Sequence, residues 1–342
     1  MTTNFFDTDY SQKHFRVGHI KKYHEKVIAI FENHFSNLGY IEHISSSLVS
    51  NEDHSVRFTG STTNVFKPYI LDEKKISKNG FFLAQKCLRT QNAKTFLSDN
   101  IFPEWGSYFT EIGTICPYNR LDVLFLETLK FLFKLGIEKE RLKIAVSSQD
   151  NHFLKCIKQI SGLSIDIDSK PLLYYKHKYG ARDIRGRNFN FAINYNKNKA
   201  SRDIGNIILI EKRNNPIAVE MGFGVSTLIA GVFNLTNSIE ASVISEVVPF
   251  KKGYVSKFSD ALSAAIVMLK LNIIPGSRDK ERILRTYLEA LCYFKKKLHL
   301  TFDDIVEYSC EYEEKEFNEN TDIADKLERY LKIIDYSSKL AD

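Results

Sequence analysis

"NFNFAINYN", residues 188 to 196, decides how the chain is read. Phe189, Phe191, Ile193 and Tyr195 alternate with Asn188, Asn190, Asn194 and Asn196. Successive side chains of a strand point to opposite faces, so one face can pack on a core while the other presents amides. That pattern predicts an antiparallel sheet with one polar, ligand-facing side. Strand-like runs surround it: "GFFLAQKCLR" (80–89), "GSYFTEIGTI" (106–115), "RLKIAVSS" (141–148), "NIILIEKR" (206–213) and "PIAVEMG" (216–222). The Asn-Asn-Pro of "EKRNNPIAV" supplies a hairpin turn between the last two.

Helices bracket these strands. Val27, Ile28, Ile30, Phe31 and Phe35 are spaced for an amphipathic helix over 17–38, closed by Gly39. A second, starting after Asn119 and ending near Gly136, is expected to cover the sheet's face opposite the polar, ligand-facing one. From about residue 250 the texture is helical. "SDALSAAIVMLKL" (259–271) begins with Ser259 as its cap, "NIIPGS" interrupts, and "RDKERILRTYLEALCYFKKKL" (278–298) is a basic amphipathic helix. Thr301 and Asp304 have the spacing of a capping box. The fold class expected is α+β: an antiparallel sheet flanked by helices over 1–250, then a helical domain over 251–342.

Composition sets the outer bounds. A chain of 342 residues buries a full core, and its net charge of +6 is mild. Lysines and arginines gather at 176–187 and 278–297, where phosphates could meet them, while the last forty residues lean acidic. Five cysteines, odd in number and without a C-x-x-C pair, read as reduced core thiols and give neither a disulfide framework nor a cysteine zinc site. The apolar run at 121–137 is broken by Asp122, Glu127, Lys130 and Lys134 and falls short of a membrane span. The N-terminus lacks the features of a signal peptide, so a cytoplasmic location without a membrane partner is expected.

Several catalytic signatures are missing: H-E-x-x-H, G-x-S-x-G, a Walker lysine loop, and a G-x-G-x-x-G opening a βαβ unit. What remains are faces of strands. Gln85, Cys87 and Arg89 share one, Phe109, Glu111 and Gly113 share another, and a long polar loop, 90–106, joins the two strands. An arginine at a strand end beside such a loop can grip a phosphate bidentately. "VEMGFGVSTL" (219–228) reads as a strand that turns on Gly222 and Gly224 into a helix, with Glu220 before the turn and no basic residue in the ten.

In order along the chain, these segments resemble the catalytic domain of alanyl-tRNA synthetases, which are class II aminoacyl-tRNA synthetases. Residues 31–71 resemble its opening, "AQKCLRT" and "SYFTEIGTI" the two strands of motif 2, "NIILIEK" the strand before motif 3, and "VEMGFGV" motif 3 itself. Residues 259–291 resemble the helical region that recognises the tRNA acceptor stem. The resemblance covers nearly the whole chain and stops before the editing and C-terminal domains of such enzymes.

The resemblance implies ATP and Mg²⁺ as cofactors and an amino acid as substrate. Arg89 would hold the α-phosphate as the catalytic residue. Glu111, Glu211, Gly222 and Gly224 would line the ATP site, with Glu211 as the metal ligand. A gapless alignment puts Thr110 in the place of Glu111. Glu220, Thr63, Tyr179 and Asn206 would form the amino-acid pocket, and Arg278, Lys280, Arg282 and Arg285 would meet tRNA. The departures are as specific. Thr227, after Ser226, stands where motif 3 carries the arginine for the γ-phosphate, and Ser50 where motif 1 has a proline. Thr63 replaces a methionine, Glu220 replaces an aspartate one methylene shorter, and "GARDIRGRNFN" replaces a glycine- and cysteine-rich loop.

From that loop Arg182, Arg185 or Arg187 could restore the missing charge, with Arg185 or Arg187 reaching the cavity between Arg89 and Gly224. Three functions follow as expectations. The first is an ATP-dependent ligase passing an amino acid to tRNA, a small molecule or a carrier protein. The others are an ATP-independent binder of amino acid or (aminoacyl-)tRNA, acting as transferase or regulator, and a nucleic-acid-binding module. Neither the amino acid nor the oligomeric state is legible.

Overall fold

The computed structural model describes residues 15–49, 56–72, 74–158, 162–179, 181, 183–194 and 201–341. Ser50 and Arg182 lie outside the described residues. In chain order the elements are α1 (Ile20–Asn37), β1 (Ile41–Glu42), α2 (Thr62–Leu71), β2 (Phe81–Leu88), β3 (Tyr108–Pro117), α3 (Leu121–Lys134), β4 (Leu142–Ser147), α4 (Asn151–Lys158) and β5 (Ser164–Asp168). Then come β6 (Lys176–Lys178), β7 (Ile184–Asn194), β8 (Ser201–Lys212), β9 (Asn215–Gly224), α5 (Val225–Phe233), α6 (Tyr254–Lys270), α7 (Asp279–Leu298), α8 (Phe302–Phe317) and α9 (Ile323–Ala341).

The strands make one sheet in the order β1-β2-β3-β9-β8-β7-β4-β5, with β6 added on β7. From β2 to β4 the pairings are antiparallel, as expected; the outermost, β1 on β2 and β5 on β4, are parallel. The two central residues of the β8–β9 turn are Arg213 and Asn214, both at positive φ (50° and 69°), one step before the Asn-Asn-Pro reading. Two positive-φ residues give a tight turn whose twist matches the strands. Pro216, which has no N–H for a ladder, falls at the register shift opposite Glu211.

The pleat divides the sheet into two faces. Phe189, Phe191 and Ile193 of β7, Ile207 and Leu209 of β8, and Val219, Met221 and Phe223 of β9 are buried with Val27, Phe31 and Phe35 of α1, Leu124 and Phe125 of α3, and Leu228 of α5. On the other face Phe66 and Ile70 of α2 pack with Leu83, Ile115, Ile208, Ile210 and Ala218. That covers only part of the face, and the remainder lies open.

Helices α6–α9 bury Phe258, Leu262, Ile266, Leu284, Leu288, Leu291, Ile305 and Leu327 in a third cluster, which Ile20, Leu88, Phe96 and Tyr108 also enter. Two polar ties reinforce that seam. The buried Asp260 carboxylate accepts from the Ser107 N–H (2.5 Å), the Ser107 hydroxyl (3.0 Å) and the Asn92 amide (2.8 Å). The buried Lys257 ammonium donates to the carbonyls of Thr95 (2.9 Å), Phe96 (3.2 Å) and Ser98. Both tie α6 to the loop between β2 and β3.

Thr301 and Asp304 cap α8 reciprocally, as their spacing predicts. Ser259 does not cap α6. That helix begins at Tyr254, and the buried Ser259 hydroxyl donates to the Val255 carbonyl inside it. Cys87, Cys116, Cys156 and Cys292 are buried thiols, whereas Cys310 is exposed. Among the described residues no helix is long and apolar enough to cross a membrane.

One close approach fixes α2 on the sheet. A Cβ at Gly113 would come 2.4 Å from the Thr62 hydroxyl and 2.9 Å from the Thr62 Cβ. Gly113→Ala should therefore lift the first turn of α2 and cost about 1–3 kcal/mol, the usual range for overpacking. Urea unfolding checks this, and an unchanged midpoint would show that α2 does not rest there.

Candidate active-site cleft

The open part of the sheet face is the floor of a cleft of about 1380 Å³. Arg89, Glu111, Gly222, Gly224, Thr63, Asn206 and Glu220 all line it, although they come from four strands and one helix start. The ladder explains the convergence. Gln85 pairs with Glu111 and Glu111 with Gly224; Gly222 pairs with Gly113 on one side and Asn206 on the other; Glu220 pairs with Ile208. Directly opposed residues share a face, so these positions form rows across the floor. Glu111 lies on it, while Thr110 is buried on the other side of the pleat.

Arg89 leaves the end of β2. Its Nε donates to the Gly60 carbonyl (2.5 Å), its Nη2 lies 3.2 Å from Glu111 Oε1, and its guanidinium stacks over Phe109 at 4.9 Å. The second Glu111 oxygen accepts from the Thr62 N–H (2.9 Å), so one carboxylate orients the arginine and the start of α2 together. Gly222 and Gly224 let polar side chains close over the floor: a Cβ at Gly222 would come 3.2 Å from Glu111 Oε1, and one at Gly224 3.1 Å from Thr227 Oγ1.

Glu220 is 2% exposed and, among the described residues, has only hydroxyl donors: Thr63 Oγ1 at 2.6 Å, Thr62 Oγ1 at 3.4 Å and Tyr179 Oη at 3.5 Å. Tyr179 thus stands behind Glu220, and its burial keeps the phenol protonated and donating. Burial pushes the Glu220 carboxyl up to about 8, the three hydroxyls oppose that, and the Glu111 charge adds to it. A buried carboxylate without a cation is costly, and a ligand ammonium supplies what it lacks.

Arg185, Arg187 and Glu211 are not in this cleft. They pair across β7 and β8 on the opposite pleat, with Phe189 and Leu209. There they line a separate hollow of about 340 Å³ with Asp150, His152 and Lys176. Arg187 bridges Asp150 and Glu211 (3.1 Å) and stacks on Phe153, and Arg185 lies 3.5 Å from Glu211 and bonds to Asn214. The expected restoration of charge from Arg185 or Arg187 is therefore corrected: a one-residue parity puts both behind the sheet. Glu211, bridged by two guanidinium groups there, does not fit a magnesium ligand for the cleft. Among the described residues no group of three or more His, Cys, Asp or Glu could hold a metal ion.

The cations that do line the cleft, among the described residues, are Arg89, Lys170 and Arg202. Arg202 of β8 bonds to the Thr236 carbonyl just beyond α5 and pairs with Glu104 (3.2 Å), whose side chain is 65% exposed. Sequence reading missed it, because "SRDIGN" carries no pattern that sets Arg202 apart from the arginines behind the sheet. Ser226 and Thr227, in the first turn of α5, also line the cleft. Arg278, Arg282 and Arg285 are exposed at the start of α7, with Lys280 half-buried beside them and Arg285 paired to Glu289 (3.1 Å).

An antiparallel sheet with an arginine, a buried acid and a glycine pair on its open face agrees with the class II synthetase architecture that the sequence resembles. The similar proteins are alanine–tRNA ligases. That of Buchnera aphidicola subsp. Baizongia pistaciae is 29% identical over 46% of this chain and 18% of its own length. The Wolbachia pipientis wMel protein is 21% identical over 81% of this chain and 36% of its own. The Buchnera aphidicola subsp. Cinara cedri protein is 23% identical over 92% and 41%. The chain thus spans well under half the length of these relatives. No protein-family profile matches it. A structure described as a threonyl-tRNA synthetase of Aeropyrum pernix aligns at TM-score 0.41 and 13% identity over 78% of this chain and 73% of that one. Pyrrolysyl-tRNA synthetase of Desulfitobacterium hafniense aligns at 0.36 and 8% over 64% and 72%.

The raised Glu220 carboxyl has a signature in stability. Unfolded, it titrates near its ordinary 4.5; folded, at about 8. Between those values the folded state keeps a proton that the unfolded state has lost, so this contribution falls as pH rises and levels off above the folded value. Asp260, pushed by burial to about 6, acts the same way lower down. Glu220→Gln cannot ionise, so between about pH 6.5 and 8.5 its urea-measured stability should fall less with rising pH than that of the wild type, the histidines and thiols contributing alike to both. An equal slope in wild type and variant would place an ionised Glu220 in the empty cleft.

Proposed function

We propose that the protein activates an amino acid with ATP, as its adenylate, and passes it to an acceptor, tRNA foremost and otherwise a small molecule or carrier protein. The observation that carries this reading is the pairing within one cleft of Arg89 with a buried acid, Glu220, that has no cationic partner among the described residues, on either side of Gly222 and Gly224. Glu220 takes the substrate ammonium, and the Thr63 and Tyr179 hydroxyls hold its carboxylate in place. Arg89, aimed by Glu111, holds the α-phosphate of ATP. A substrate carboxylate oxygen then attacks the α-phosphorus in line, the bond to the β-phosphate breaks, and pyrophosphate leaves. Arg89 stabilises the charge that grows on the α-phosphoryl oxygens.

Similarity to alanine–tRNA ligases over 81% and 92% of the chain supports the reaction class. Alanine itself is not carried over, since Thr63, Tyr179 and Glu220 rebuild the pocket. Arg89→Ala should cut amino-acid-dependent pyrophosphate exchange by about a hundred- to a thousandfold, the range for removing one preorganised donor to transition-state charge. Arg185→Ala with Arg187→Ala should leave exchange at the wild-type rate. The opposite pattern would move the site behind the sheet.

For the acceptor, Arg278, Arg282 and Arg285 recur at intervals of four and three and form one exposed strip on α7. Changing all three to Gln should weaken tRNA binding and lower the log–log salt slope by about 0.7–0.9 per lost phosphate contact. Absence of tRNA binding by the wild type at low salt would turn the acceptor to a small molecule or carrier protein. A second reading, ATP-independent binding of an amino acid or aminoacyl-tRNA, draws on Thr227 in place of the motif 3 arginine. Calorimetry in which an amino acid binds and ATP does not would favour it.

A further inference from the structure

A row of hydrogen bonds runs along β7 from His177 to Asp203, both of which line the cleft. His177 Nε2 lies 3.0 Å from Asn188 Oδ1, Asn188 Nδ2 donates to Asn190 Oδ1, and Asn190 Nδ2 donates to Asp203 Oδ2 at 2.8 Å. The direction of this row is set at its end. Asn190 presents its NH₂ to Asp203 and its oxygen to Asn188, the orientation in which each amide donor of the row meets an acceptor. Asn188 in turn presents its oxygen to His177, which must therefore donate through Nε2–H. Burial holds the His177 imidazolium below its ordinary range, and the Arg89 charge across the cleft adds to this, so the ring is neutral. A neutral ring that donates through Nε2 has a lone pair on Nδ1, and Nδ1 bonds to no group among the described residues.

Glu220, Ile208 and Asn188 face one another across β9, β8 and β7, and His177 sits over the neighbouring Gly186, its Cβ 3.2 Å from where a Gly186 Cβ would be. Two strand spacings separate the Glu220 and Asn188 backbones by roughly 10 Å. Ile208 lies between them as an apolar step lining the cleft.

Resting on the amino-acid seat at Glu220, we infer that this row selects the substrate: an amino acid longer than alanine, whose aliphatic stem crosses Ile208 and whose side chain ends in a hydrogen-bond donor received by His177 Nδ1. A hydroxyl, amide or amine tip satisfies the acceptor, and a methyl tip leaves it buried and unpaired. His177 and Asp203 line the same cleft as Glu220, so the seat and the acceptor serve one ligand. Asp203 acts through the two asparagines and is a positioning residue.

The test is calorimetric binding of a panel of free amino acids to the full chain. Threonine, glutamine, ornithine and lysine are set against alanine, 2-aminobutyrate and norleucine. At least one donor-tipped member should bind about tenfold or more tighter than its apolar counterpart, since an unpaired buried acceptor costs on that order. His177→Phe should erase the preference while retaining binding of apolar members. Asp203→Asn, whose amide can point either way, should weaken the preference. Nitrogen NMR of the ring should report Nε2–H at neutral pH. Alanine or norleucine as the tightest ligand, an unchanged preference in His177→Phe, or an Nδ1–H ring would overturn the inference and leave the seat standing. If no amino acid binds the wild type, and Glu220→Gln changes nothing, the seat fails and the inference with it.

Discussion

The two-residue period of β7, β8 and β9 is the constraint on which the rest depends. Because α1, α3 and α5 pack on one face, every odd-numbered position from Phe189 to Ile193 is committed to the core and every even one to the cleft side. A slip of one residue would bury the asparagines and expose the phenylalanines. The same alternation assigns the charges. Glu220 faces the ligand side because Val219 and Met221 are core residues, and Arg187 faces away because Phe189 is one. The chemistry of the cleft is thus selected by the packing behind it.

Within the cleft, the two acids are held differently, and the difference is functional. Glu111 has a guanidinium and a backbone N–H as partners and orients Arg89. Glu220 has hydroxyls only and lies under α2, where ionisation is penalised. Exchanging their surroundings would exchange their roles. Gly113 makes the second environment possible, since only a residue without a Cβ lets Thr62 come close enough to serve Glu220. α2 is therefore both the lid of an apolar cluster and the source of two of the donors.

Much of this was legible in the sequence where periodicity was strong. The alternation at 188–194, the shared faces of Gln85 with Arg89 and of Glu111 with Gly113, and the helices ending at Gly39 and Gly136 follow from side-chain spacing alone. α2 was not legible, since "TTNVFKPYIL" contains Pro68 and short polar residues that weaken a helical reading. β5 and β6 are short, and β5 alternates weakly at the edge. Ser259 misled because a serine before an apolar run is also common inside a fully buried helix, where its hydroxyl bonds back to a carbonyl. The misplaced Arg185 and Arg187 show a different limit. Their loop was assigned to the site by position in the chain, whereas their own alternation with Phe189 and Phe191 already put them on the core face.

The absence of the motif 3 arginine then takes a different meaning. With Thr227 in its place and Arg185 and Arg187 behind the sheet, the cations along the cleft, among the described residues, are Arg89 just beyond β2, Arg202 on β8 and Lys170 beyond β5. Arg202 is already engaged by Glu104 and a carbonyl, and Lys170 by Asp168 at 3.3 Å. Positive charge is therefore spread along the cleft and balanced locally, whereas Glu220 is buried among hydroxyls and its ionisation is opposed by that burial. A cleft arranged in this way favours a cation most strongly over Glu220, the buried acid that meets only hydroxyls among the described residues. Electrostatic preorganisation counts most where water is excluded, and in this cleft that place is the floor under α2.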